Sequence, residues 1–230
     1  MLIVLSHSEG VVHFNPAITF GFFFAGRLRF KYVLQYLVAQ IIGGVIASGF
    51  AYLIHKRALT EELRTAAAGN SLNSTYTYET PTFDDVVSRY SLDVPENSDW
   101  LAVLLSEIIM STQMCLISTI AVYNQESFMD STAALAIGVS VMLGIASGAT
   151  NGGGCLNPIR SNMPRFFSKI YDNWCYNVGP IVGSWIAGLC YHKWYDEDRS
   201  THLLRRANDQ VWHEGEVEHL YLRGGAVFVE

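Results

Sequence analysis

Cys155-Leu156-Asn157-Pro158-Ile159-Arg160-Ser161 sets an asparagine directly before a proline in apolar surroundings, behind the glycine run Gly152-Gly153-Gly154. Proline suits the first position of a helix, where its missing N–H removes no bond, so the stretch reads as a short helix start. His13-Phe14-Asn15-Pro16-Ala17 repeats the arrangement, with a helix beginning at Pro16 and its apolar run ending in Gly26. Each start leads into a glycine-bearing apolar segment: Gln40-Ile41-Ile42-Gly43-Gly44 lies about 25 residues on from the first, and Pro180-Ile181-Val182-Gly183 about 23 residues on from the second.

Outside these starts the apolar residues gather into four blocks, roughly 32–54, 100–122, 133–149 and 174–194. Crossing a ~30 Å hydrocarbon core takes ~20 apolar residues. Val33 to Ile54 carries no formal charge over 22 residues, which a soluble fold does not explain. The basic cluster Arg27-Leu28-Arg29-Phe30-Lys31 is cytoplasmic under the positive-inside rule, so the first span runs outward. Residues 56–99, rich in Ser, Thr, Asn, Asp and Glu, read as a long extracellular loop containing the glycosylation triplet Asn73-Ser74-Thr75. The second span returns inward, the link 124–131 leads to the third, and residues 195–230 form a polar cytoplasmic tail behind a membrane domain of residues 1–194. The two Asn-Pro units thus enter from opposite sides. Inverted repeats with short broken helices place a permeation site near the midplane.

Non-helical backbone survives at membrane depth only where protein or water satisfies it, so the paired half-helices imply a wet cavity. Their positive dipole ends converge there. Asn15 and Asn157 would offer amide donors to a passing oxygen, orienting water so that a proton wire is broken and cations are disfavoured.

Other functions find little footing. A net charge of −6 gives no basic face for nucleic acid. Cys115, Cys155, Cys175 and Cys190 are far apart and read as free thiols, with no metal spacing and no cofactor signature. Met1 to Leu5 is too short for a signal peptide core or a span. His213-Glu214 would need a histidine at 217 to make a metalloprotease helix, and Val217 stands there, so no enzyme is expected.

The chain resembles the aquaporin, or major intrinsic protein, family. The matching residues are His13-Phe14-Asn15-Pro16-Ala17-Ile18-Thr19, Ser106-Glu107-Ile108-Ile109, Ala136-Ile137-Gly138, Asn157-Pro158-Ile159-Arg160-Ser161 and Val178-Gly179-Pro180-Ile181-Val182-Gly183. The resemblance implies an all-α membrane protein: a right-handed helical bundle in which two re-entrant half-helices meet at the midplane, assembled in the bilayer as homotetramers with one pore per subunit. It implies that Asn15 and Asn157 are the pore asparagines, within Asn15-Pro16-Ala17 and Asn157-Pro158-Ile159, and that Arg160 belongs to the outer selectivity filter. Glu107 then accepts hydrogen bonds from the re-entrant loop, and His13 is a structural support. Counting back from Asn157 puts Ile145 and Gly154 at two further filter positions, a wide and apolar pairing similar to vacuolar plant members that pass ammonia as well as water. Cys155, close to the filter, is the expected mercurial site.

Three departures accompany the resemblance. The family has two spans before the first Asn-Pro-Ala, whereas about fourteen residues precede Asn15, so the expected bundle lacks its first one to two spans. Ile159 replaces the usual alanine where the half-helices touch, an overpacking of about 1–3 kcal/mol or a displacement of the helices. Ser161 and Tyr176 follow the water-channel pattern, whereas Arg165 resembles glycerol facilitators. The expected function is passive passage of water and small neutral solutes (glycerol, urea, ammonia, peroxide) in the plasma membrane. The alternative is a non-conducting protein of the same fold with a structural, adhesive or regulatory role.

Overall fold

The computed structural model describes residues 12–69, 80–92, 94, 98–123, 130–149, 153–166 and 173–196, and no strand occurs among them. The chain divides into two units after Leu189. The second holds the end of the last helix and a π turn, His192–Asp196, with Tyr191 stacked on Tyr195. The rest of the description concerns the first.

Helix α1 (Pro16–Phe24) begins as its sequence dictates: the Asn15 side chain accepts from the Ala17 N–H and Pro16 takes the first turn. It ends in a Schellman motif, in which Arg27 N–H reaches Phe22 O and Gly26 N–H reaches Phe23 O, with Gly26 at φ 66°. Helix α2 (Phe30–Gly69) follows, then α3 (Phe83–Ser88), α4 (Trp100–Tyr123), α5 (Asp130–Ala149), α6 (Pro158–Asn162) with a 3₁₀ turn over Met163–Arg165, and α7 (Cys175–Tyr191).

Among the described residues, α2, α4 and α5 are long and apolar enough to cross a membrane. The 17 residues of α7 reach about 25 Å, at the short end of what spans. Leu34, Ile42 and Phe50 on α2, Leu105 and Ile109 on α4, and Leu135 and Met142 on α5 lie exposed, the surface that acyl chains solvate. Inward, α7 lies close on α4: a Cβ at Gly183 would stand 2.6 Å from Ile108 O, and one at Gly179 2.5 Å from Glu107 Cβ. Bare glycines let two helix backbones approach this far. One core cluster, Ala17, Met114, Cys115, Leu156 and Ala187, joins both half-helix regions to α4 and α7.

The structure corrects the reading of residues 56–99 as loop. Helix α2 continues to Gly69, and α3 forms at Phe83–Ser88. Hydropathy ends at Ile54, but Ala58-Leu59-Thr60-Glu61-Glu62-Leu63-Arg64 is, Thr60 apart, built of strong helix formers with no Gly or Pro, so the polar stretch keeps the helical backbone. Thr82 and Asp85 close a capping box at the start of α3. The short helix then lies on α2: Phe83 stacks on Tyr52, Tyr90 on His55, and Arg89 pairs with Glu62 at 3.0 Å. Asn73 and nearly all of the 195–230 tail lie outside the described residues.

Candidate functional site

The two asparagines are fixed by the same local rule. Each is an extended residue (φ −133° at Asn15, −146° at Asn157) whose side-chain oxygen caps the N–H two residues on. This leaves the amide nitrogens free to cross between the half-helices. Asn15 Nδ2 donates to Leu156 O at 2.8 Å, and Asn157 Nδ2 points at Phe14 O at 3.5 Å. Each asparagine is thus tied to the residue just before the other. Pro16, Ala17 and Pro158 are buried behind them.

Behind α1, His13 is buried, stacked on Tyr36 with centroids 3.8 Å apart, and its Nδ1 lies 2.8 Å from Thr19 Oγ1. Thr19 donates to Asn15 O, while Gln40 Nε2 donates to both Thr19 Oγ1 and His13 O. A hydroxyl has one proton to give, so with Thr19 bonded to Asn15 O its lone pairs receive Gln40 and the Nδ1–H of His13. The approach to Asn15 is held by three side chains from α1, α2 and the turn before α1.

On the other side, Glu107 of α4 is fully buried and meets three backbone donors. Its Oε1 accepts from Gly154 N (2.6 Å) and Cys155 N (2.7 Å), and its Oε2 from Leu156 N (2.9 Å). A buried carboxylate persists when its lone pairs are filled in this way. It secures a distorted loop: Gly154 sits at φ 93°, where a Cβ would come within 2.9 Å of Ile145 O, and Leu156 holds φ 57°, a left-handed conformation costing about 1–2 kcal/mol for a side-chain-bearing residue.

At the mouth of this loop Arg160 Nη1 donates to Gly154 O at 3.1 Å, and Arg160 and Ile145 are both exposed. Arg160, Gly154 and Ile145 therefore share one place. Cys155, by contrast, turns inward: it is 3% exposed and packs with Val103, Cys175 and Tyr176. Of the candidate pore, filter and support residues read from the sequence, those among the described residues are brought together around the two half-helices, and Asn73 lies outside the described residues.

Three groups were given no supporting role in the sequence reading. Gln40 is one; a lone amide in a charge-free stretch was its signal. The second is an asparagine cluster: Asn162 donates to Pro158 O and to Asn177 Oδ1, while Asn173 and Asn177 donate to Asn162 Oδ1, pinning the end of α6 to α7. The third is Arg165, buried on the 3₁₀ turn, whose Nη2 reaches Ser91 Oγ at 3.4 Å. Among the described residues no group of three or more His, Cys, Asp or Glu side chains could hold a metal.

Comparison with known proteins accords with this geometry. Residues 2–191 match the family described as Major intrinsic protein. The chain is 26% identical over 211 residues to a probable aquaporin NIP-type of Nicotiana alata (90% of this chain, 67% of the relative), and 29% identical over 193 residues to Aquaporin NIP1-1 of Zea mays (84% and 57%). To Aquaporin-1 of Homo sapiens it is 28% identical over 215 residues (93% of this chain, 69% of the relative). It thus spans well under the full length of these relatives, 57% of the maize one. That family comprises membrane channels, not enzymes, and with its apolar spans and crossed Asn-Pro half-helices the chain belongs to the major intrinsic protein family as an integral membrane protein.

Proposed function

We propose that the chain forms a passive pore for water and small neutral solutes. The observation that carries this reading is the crossing of Asn15 and Asn157 beside an exposed Arg160 held on the Gly154 carbonyl. Fixed donors and a guanidinium at a constriction favour neutral hydrogen-bonding solutes and oppose cations and protons. A bare Gly154 beside the apolar Ile145 leaves room and little polarity, which favours ammonia and glycerol alongside water. In this reading the protein acts in the plasma membrane as a homotetramer with one pore per subunit, and Asn73 on the outer side is a glycosylation acceptor. The names of its relatives support the channel reading, and the triplet Asn73-Ser74-Thr75 supports the glycosylation assignment.

The test is stopped-flow light scattering on proteoliposomes with water, glycerol and ammonia, comparing Arg160→Ala and Asn157→Asp. Rapid shrinkage with a low activation energy, altered by both substitutions, is expected. A rate equal to that of protein-free liposomes from correctly inserted protein would sink the reading and favour the non-conducting alternative.

A further inference from the structure

A Cβ built on Gly44 of α2 would lie 2.7 Å from Ile159 Cγ2, 2.5 Å from Met163 Cγ and 3.3 Å from Met163 Cβ. Real carbon atoms do not approach so closely; contact lies near 3.5–4.0 Å. Gly44 is therefore a notch in the wall of α2. Ile159 and Met163, four residues apart and so stacked on one helix face, seat into it. Gly43, one residue earlier, has no described neighbour within 4 Å of a Cβ position. The bulk that Ile159 adds at the half-helix contact has thus gone into space left by a missing methyl, and the crossing at Asn15 persists at 2.8 Å.

We propose that Gly44 is a specificity-determining position of the pore, acting through Ile159 to set where Arg160 stands against Gly154. This rests on the channel reading. Ile159 is β-branched and stiff at χ1, so it cannot swing aside when its seat is filled, whereas Met163 is unbranched and can. Restoring ordinary contact between a residue-44 methyl and Ile159 Cγ2 moves the start of α6 by about 1 Å. Arg160 is the next residue, and its 3.1 Å bond to Gly154 O does not survive a displacement of that size. Gly44 is a positioning residue: it touches no solute, but it decides whether the guanidinium is fixed across the constriction or free to leave it.

The experiment measures the water-to-glycerol permeability ratio of the full chain in proteoliposomes, for the wild type, Gly44→Ala, Ile159→Ala, the double variant and Gly43→Ala. Gly44→Ala is expected to shift the ratio by about fivefold, the factor that one net hydrogen bond is worth. The double variant, with a methyl on α2 in the space that Ile159 Cγ2 vacates, returns toward the wild-type ratio, and Gly43→Ala leaves it unchanged. If Gly44→Ala does not insert, Ile159→Ala alone against the double variant decides: filling the emptied notch must restore the ratio. A wild-type ratio in Gly44→Ala, or a double variant no nearer to wild type than the singles, overturns the proposal while channel activity stands. No conduction by the wild type above protein-free liposomes overturns the channel reading and the proposal with it.

Discussion

Asn15 donates through Nδ2 to the carbonyl of Leu156 at 2.8 Å, so the side chain that caps the first half-helix also fixes the residue entering the second. Leu156 receives this bond while in a left-handed conformation and while giving its own N–H to Glu107. One strained residue is thus held from two directions.

Asn15→Asp turns this donor into an acceptor facing a carbonyl. The cap on Ala17 remains and the crossing bond is lost, leaving a buried acceptor unmatched at a cost of about 1–3 kcal/mol. A clear fall in unfolding temperature in detergent, exceeding that of Asn15→Ser, is the expected result. Equal stability of the aspartate and wild-type proteins would mean that the bond contributes nothing.

Glu107→Gln keeps the shape but offers one acceptor oxygen where three N–H groups need two. At least one buried donor is orphaned, and a loss of about 2–4 kcal/mol is expected. The loop 153–156 should loosen, which labelling of Cys155 by a small maleimide can follow.

The Cys155 thiol itself is buried in the cluster of Val103, Cys175 and Tyr176 and donates to Asn157 O at 3.2 Å. Mercurial block is therefore expected to develop slowly, to be absent in Cys155→Ser, and to quicken in Glu107→Gln. Fast block in the wild type, or block that survives Cys155→Ser, would contradict this placement.

At α3 the Thr82 hydroxyl and backbone N–H hold the exposed Asp85 carboxyl below its ordinary value of 3.8. A depressed folded-state value means that the contribution is present above 3.8 and is lost as pH falls through the folded value. Thr82→Ala should bring the Asp85 midpoint back toward 3.8 in a carbon-13 titration and weaken the cap by about 1 kcal/mol. An unmoved midpoint would show that the capping box does not form in the membrane-bound protein.

Much of the centre of the fold was legible because its rules are local. Asn-Pro at a helix start needs no partner to be recognised, whereas the acceptor role of Glu107 came through the family resemblance. What was not legible depended on partners distant in sequence or on a property that hydropathy does not measure. Helix α2 outruns Ile54 because backbone preference continues where polarity changes. Asn162, Asn173 and Asn177 carry no signal of their own in the sequence, and their cluster exists only once α6 and α7 come together. Ile159 read as overpacking because its neighbour Gly44, 115 residues earlier in the chain, could not be known.

The span between Asn15 and Leu156 also orders events during synthesis. The carbonyl that completes the first half-helix is made 141 residues after the asparagine that seeks it, about 7–30 s at ribosomal speeds of 5–20 residues/s. Glu107, in contrast, is already in place when its three donors emerge 47–49 residues later. The second half-helix can therefore close on a waiting anchor as it enters the bilayer. The first must remain provisional until Leu156 is made, and only then does the crossing lock both halves in a single step.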